Sequence, residues 1–256
     1  MTTLSSIVYN SSRPLQQYLK FGQGNSKLKE QEWHVSLASG ISCGFAKECK
    51  STAHRVTGKI TDGKYTTFRC FEATMEARST ALRNINYANF DMLRRLSEDD
   101  MVVVIQYSLV INGVQVGDTL RIHVGGDYFN ARYFNAWVRV AIANPSIHFY
   151  GYTKAIKYWV ECPYKIPSNL NLTASYGGWG DSLISTNSLK SATVVFHPEE
   201  AERLGLEIDH DDSHAKVGTT DFALLLHGTQ PAKSLASKAL QRLRLENIKF
   251  SYGRKV

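Results

Sequence analysis

The sequence predicts an α/β protein built on a mostly parallel sheet, and three observations carry that expectation. Short apolar runs recur along the chain, TLRIHV (119–124), IHFYGYT (147–153), LNLTAS (170–175), ATVVFH (192–197) and FALLLHG (222–228), each ending in glycine or polar residues. Segments with helical periodicity or helix caps separate them, and parallel strands need such crossovers. The 256 residues, 43% hydrophobic and 21% charged, can bury a self-sufficient core without disulfide staples.

In chain order, FGQGNSKL (21–28) sets two glycines around a small polar turn suited to a backbone-lined loop. Residues 75–96 read as one helix, with Ala77, Ala81, Ile85, Ala88, Met92 and Leu96 near one face and Arg78, Arg83 and Arg94 elsewhere. MVVVIQYSLVI (101–111) fits two structures: its β-branched content favours a strand, and its position before the 119–124 strand suits a helix. Tyr133, Ala136, Trp137, Val140 and Ala141 then mark a helix that Asn144-Pro145 ends. PEEAERLG (198–205) is a helix with proline in its first turn, acids beside it and Gly205 at its end.

Leu235, Ala236, Ala239, Leu240 and Leu243 recur at helical spacing near the C-terminus. Without repeats, low-complexity segments or a linker, the reading is a single α/β domain over 1–256 with a basic C-terminal helix over 233–256. The chain carries 30 Lys and Arg against 23 Asp and Glu, and seven of those cations face one Glu within 233–256. That tail is either a nucleic-acid surface or a solvated helix face. Apolar runs fall short of the roughly 18 residues of a membrane span, and residues 1–25 lack the apolar core of a secretory signal, so no membrane association is expected.

Cys43, Cys49, Cys70 and Cys162 are too few for a disulfide framework. The first three follow C-x5-C-x20-C, with Phe71 after the last. Thiolates bind zinc and iron, and three cysteines on an irregular loop can hold a cluster with one iron left open. The alternative is that they are small buried hydrophobes, the default also for Cys162.

In a parallel α/β sheet, functional residues lie past the carboxyl ends of the strands. There the sequence puts Gly125-Gly126-Asp127-Tyr128, Lys154, Tyr176-Gly177-Gly178, Pro198 and Thr229-Gln230. Arg121 and His123 alternate on the 119–124 strand and so are expected on one face, the interior if the sheet closes, with Asp127 as the natural partner of the arginine. EIDHDDSHAK (207–216) packs Asp209, His210, Asp211, Asp212 and His214 together, which suits either a divalent metal or a hydrogen-bonded polar loop.

FGQGNSKL (21–28), SLASGISCGFAKEC (36–49), CFEA (70–73), RIHVGGDYFNARYFNAWVRVAIANPSIHFYGYTKA (121–155), LNLTASYGG (170–178) and HGTQPAKS (227–234) together resemble the phage gene-product-88 family. That family in turn looks like a divergent relative of the radical S-adenosylmethionine enzymes. The resemblance implies a parallel sheet closed or partly closed into a TIM-like partial barrel, with a [4Fe-4S] cluster on Cys43, Cys49 and Cys70. It implies S-adenosylmethionine near Gly125, Gly126 and Asp127, with Arg121 and His123 as further cofactor contacts. Tyr150, Tyr152 and Lys154 would meet the substrate. A phage-encoded protein of this kind is expected in the host cytoplasm. Two other functions are compatible with the residues. One is a non-redox accessory protein that binds nucleic acid through 233–256, helped by aromatics such as Tyr128, Phe129, Tyr133, Phe134 and Trp137. The other is a divalent-metal-dependent hydrolase using Asp209, Asp211, Asp212 and His214.

Overall fold

In the computed structural model of the protein, which describes residues 17–24 and 32–250, the apolar runs become the strands of one large sheet. The elements in order are β1 (Gly22–Gln23), β2 (Trp33–Val35), β3 (Ser51–Ala53), β4 (Ile60–Asp62), α1 (Phe71–Arg78), α2 (Thr80–Leu93), α3 (Glu98–Asn112) and β5 (Thr119–Ile122). There follow α4 (Ala131–Ala143), β6 (His148–Thr153), α5 (Ile156–Val160), β7 (Leu170–Ser175), α6 (Ser182–Thr186) and β8 (Ser191–Val195). The chain continues through α7 (Pro198–Leu204), β9 (Glu207–Ile208), α8 (Ser213–Lys216), β10 (Phe222–Leu225) and α9 (Leu235–Leu245).

The main sheet has the order β1-β2-β5-β6-β7-β8-β10-β9. Every pairing in it from β2 onward is parallel, and β1 adds an antiparallel edge. From β2 through β5, β6, β7 and β8 to β10 each strand lies beside its predecessor in the main sheet, so the winding never reverses. Among the described residues strand hydrogen bonds leave the sheet open; they do not close a barrel. A separate hairpin, β3 with β4, stands apart from it.

One sheet face is apolar. Leu120, Ile122, Phe149, Leu170 and Leu172 point into a core shared with Met101, Val104, Ile105 and Leu109 of α3 and Phe134, Trp137 and Ala141 of α4. The 101–111 run is therefore helix. Ser97 caps α3 by accepting from the Asp100 amide, and Gly113 ends it in the left-handed region at φ 86°. Those two caps, and burial on both sheet and helix sides, outweigh the β-branched preference of the run.

The single helix expected over 75–96 is in fact two. Ser79 is extended, and its side chain accepts from the Leu82 amide, so it ends α1 and caps α2. The buried face also differs: Ala81 and Ala88 face solvent, while Arg83, Asn86, Tyr87, Asn89 and Leu93 turn inward. Arg83 lies buried because its guanidinium donates to the Arg55, Val56 and Glu76 carbonyls and to the Thr80 hydroxyl.

The C-terminal helix covers Leu235–Leu245 and is shorter than the 233–256 expected. Ala236, Leu240 and Leu243 pack on Val195, Leu225 and Leu226, whereas Leu235 stays exposed. Arg242 is held by Glu246 at 2.7 Å and Glu199 at 3.0 Å, so part of the tail charge is spent within the fold. Arg254, Lys255 and residues 25–28 of the early glycine turn lie outside the described residues. No described helix is long and apolar enough to cross a membrane.

Candidate functional site

The loop leaving β2 arches over the carboxyl ends of the parallel strands. Leu37 donates to the Gly125 carbonyl after β5, the Lys47 and Glu48 amides donate to Gly177 after β7, and Trp179 donates to Phe45. Within the loop, Ser42 donates to the Ala38 carbonyl and Lys50 to that of Cys43, at 2.7 and 2.6 Å. Gly40 is required where it stands, with φ 72° and no room for a Cβ beside the Thr52 hydroxyl and the Ser51 backbone.

The hairpin explains how Cys70 returns to this loop despite its distance in sequence. Ser51 pairs with Asp62 across β3 and β4, Arg69 binds Asp62 at 2.5 Å, and the Cys70 amide donates to the Ser51 hydroxyl at 3.3 Å. The residues between Cys49 and Cys70 are thus looped out as a closed ribbon, and the three half-buried thiols lie near enough to feel one another's charge. Burial, then Asp127 and Cys49, pushes the Cys43 thiol up to about 12. Burial, then Cys49 and Cys43, raises Cys70 well above the usual thiol range. Among the described residues no three His, Cys, Asp or Glu side chains converge on a point where a single metal ion could sit.

Immediately after Cys70, α1 turns two carboxylates inward. Glu76 accepts from the Ser39 amide at 3.0 Å and hydroxyl at 2.6 Å, and Asn86 donates to both Glu72 and Glu76 at 2.7 and 2.9 Å. Burial, then the neighbouring Glu76, pushes Glu72 up to about 7. Neither glutamate was among the residues expected from sequence. Their spacing of four, one helical turn on one face directly behind a cysteine, is the signal that could have found them.

The Gly125-Gly126-Asp127 turn is filled by the chain itself. A Cβ on Gly125 would collide with the Glu72 side chain, and one on Gly126, at φ 86°, with Leu37 and Ser42. Asp127 is buried and fully engaged. It accepts from the Tyr128 amide at 2.7 Å, the Thr153 hydroxyl at 2.6 Å and the Lys154 amide at 2.8 Å, tying the end of β5 to the end of β6. Lys154 reaches away to the Ser175 hydroxyl and the Tyr176 carbonyl, both at 2.6 Å.

Arg121 and His123 do not share a face, and Asp127 is not the arginine's partner. The regular strand ends at Ile122, so the alternation expected through 123 does not hold. His123 turns to α4, where its Nε2 lies 2.8 Å from the Tyr133 hydroxyl and its ring packs on Tyr128. Burial, then the Arg121 charge, holds its imidazole down at about 3, so it is neutral. Arg121 points to the opposite, polar face and binds Asp212 at 2.5 Å, with its guanidinium 5.1 Å from the centre of the Tyr152 ring. Tyr150 and Tyr152 donate to the same carboxylate at 3.2 and 2.9 Å.

The segment around α8 therefore packs onto the polar face of the sheet. Its end is fixed by His148 and Asn171 at the Lys216 carbonyl, by Lys190 at the His214, Ala215 and Gly218 carbonyls, and by the Lys216 ammonium on Glu32. Asp209 accepts from the Asp211 amide and Asp211 from that of Ser213, so these acids cap turns. His214 sits by Glu207 at 3.2 Å. The structure thus gathers Cys43, Cys49, Cys70, Glu72, Gly125, Gly126 and Asp127 at the carboxyl end. It keeps Arg121, Tyr150 and Tyr152 with Asp212, and sends His123 into the core. Finally, the loops after the first and last parallel strands of the winding meet. Gln230 exchanges hydrogen bonds with the Arg69 backbone at 2.7 and 3.2 Å, and Phe71 packs 5.1 Å from the His227 ring.

The model of the Gene product 88 family matches residues 13–244. The Gene 88 protein of Mycobacterium phage L5 is 30% identical over 91 residues, a stretch covering 33% of this chain and 38% of that relative's length. No solved structure matches the chain.

Proposed function

The chain belongs to the phage gene product 88 family, and from this premise we propose an iron–sulfur protein of the radical S-adenosylmethionine type, with Cys43, Cys49 and Cys70 holding a [4Fe-4S] cluster. The observation that carries the reading is the hairpin that folds the Cys49–Cys70 spacer away and returns Cys70 to Cys49 and Cys43. A partial TIM-like barrel is the architecture proposed with it. The unreversed winding from β2 to β10 and the contact of the Gln230 loop with Arg69 support that shape.

The donor set fits such a group. A cubane takes one thiolate per iron, so its cysteines surround it instead of meeting at one point, and a three-cysteine site leaves one iron open. When bound, the cluster would supply the electron for reductive cleavage of the S-adenosylmethionine sulfonium. The chain's own part is proton release and exclusion of water. Cys43 and Cys70 are protonated at neutral pH, so loading must expel their protons and is favoured as pH rises. The β2 loop and α1 roof the carboxyl ends and shield the thiols. The Gly125–Asp127 turn flanks Cys43 and would border the cofactor through its backbone. Tyr150, Tyr152 and Arg121, bound to Asp212, would act as scaffold behind it.

The test is iron and acid-labile sulfide content after oxygen-free purification and reconstitution, beside the Cys43→Ala, Cys49→Ala, Cys70→Ala triple variant. About four irons per chain, with a broad absorption at roughly 400 nm that the variant lacks, is the expected result. A folded parent that stays colourless and iron-free after reconstitution overturns the proposal.

A further inference from the structure

We propose that the outer side of the cysteine loop is a docking surface for single-stranded nucleic acid, separate from the basic tail and independent of whether a cluster binds. A cleft of about 140 Å³ opens there, lined by Lys47, Lys50, Lys64, Tyr65 and Trp179. Its two aromatic residues are strongly exposed, Trp179 at 58% and Tyr65 at 49%, and meet edge to face with ring centres 5.5 Å apart. The Lys47 ammonium sits 5.2 Å from the Trp179 ring centre and the Lys64 ammonium 5.3 Å from that of Tyr65.

The chemistry of this patch matches unpaired bases on a phosphate backbone. Exposed tryptophan and tyrosine faces lose free energy in water that stacking on a base recovers, and every base offers a π-face whatever its identity. Lysines flanking the rings supply the phosphate contacts. Among the described residues neither Lys47 nor Lys64 has an ion pair, and the nearby Asp62 carboxylate is taken by Arg69. Lys50 is anchored to the Cys43 carbonyl, which leaves Lys47 and Lys64 as the free cations of the cleft. A duplex keeps its base faces stacked, so the surface discriminates in favour of single strands. The tail is the poorer candidate, since Arg242 is bound to Glu199 and Glu246.

The experiment is fluorescence anisotropy of the full chain with labelled oligothymidylate and oligouridylate of about 15 nucleotides, and with a duplex of equal length, over roughly 50–200 mM salt. Trp179→Ala and Tyr65→Ala are each expected to weaken single-strand binding roughly tenfold, and Trp179→Phe to restore most of it. Lys47→Ala with Lys64→Ala should lower the slope of log affinity on log salt by about one. Lys238→Ala with Arg244→Ala, on α9, should leave both unchanged. Circular dichroism checks that each variant is folded. Equal affinity for duplex, binding unaltered in folded Trp179→Ala, loss confined to the α9 variant, or no binding by the parent at the lowest salt would each overturn the proposal. DNA and RNA arms that differ identify which strand the surface prefers.

Discussion

Asp212→Asn should be among the most costly single-atom changes in this protein. The Asp212 carboxylate is fully buried, with Arg121, itself nearly so, at 2.5 Å and the Tyr150 and Tyr152 hydroxyls at 3.2 and 2.9 Å. Asparagine keeps the shape, and it tolerates the left-handed backbone of this position, φ 64°, as aspartate does. What disappears is the negative charge, leaving the Arg121 guanidinium buried with the His123 carbonyl at 3.2 Å and the face of Tyr152. Breaking one side of a buried pair costs about 3–5 kcal/mol. The amide oxygen still accepts one hydrogen bond, so the lower end, about 3 kcal/mol, is expected. For a chain of this length that lowers Tm by roughly 10 °C. Urea unfolding of the parent, Asp212→Asn, Arg121→Met and the double variant measures the coupling, expected at about 2 kcal/mol. Hydrogen exchange in α8 should quicken alongside, since Asp212 anchors that segment on the sheet. A loss below about 1 kcal/mol for Asp212→Asn, with additive single effects, would refute the account of the polar face as a closed charge network.

Two further outcomes follow from the same geometry. His123 is held at about 3 when folded, whereas an unfolded histidine takes its proton near 6.5, so its contribution is complete above 6.5 and is lost as pH falls toward 3. At pH 5 the loss is about 2 kcal/mol. His123→Gln should therefore show a flatter decline in urea stability between pH 7 and 5 than the parent, and parallel curves would contradict the assignment. Gly151→Ala would set a Cβ 1.6 Å from the Ile122 carbonyl oxygen in the middle of the sheet and should cost more than about 3 kcal/mol. Gly113→Ala, in open space at φ 86°, should cost only about 1–2 kcal/mol, and similar losses in the two variants would show that steric contact is not what Gly151 avoids.

The strands from 119 to 225 were legible because each is a short apolar run between caps and turns, a property of neighbouring residues alone. The same holds for α4 and α7, whose ends Asn130 with Asn144 and Pro198 with Gly205 mark locally. The break at Ser79 was hidden by a periodic pattern that runs straight through it. A serine followed by threonine reads as well inside a helix as at its cap, until the direction of the next turn is known. The inward turn of Arg83 was hidden as well, because its acceptors are backbone carbonyls at 55, 56 and 76, which no side-chain pattern advertises.

The candidate site divides along the same line. Cysteines 43, 49 and 70, the glycines at 125 and 126 and the acids of 207–216 can be picked out by residue type alone. By itself the sequence determined the succession of strands and helices, the parallel winding and the stock of thiols, because these depend on local periodicity and on which side chains exist. Only the tertiary structure decided that Cys70 returns to Cys49 across a hairpin, that Asp212 and not Asp127 neutralises Arg121 from 91 residues away, and that His123 leaves the sheet face for the core. Each of those outcomes is set by the chain closing a long loop to satisfy a buried charge or an unpaired backbone group, and the partner that does so is fixed by space, not by neighbourhood in the chain.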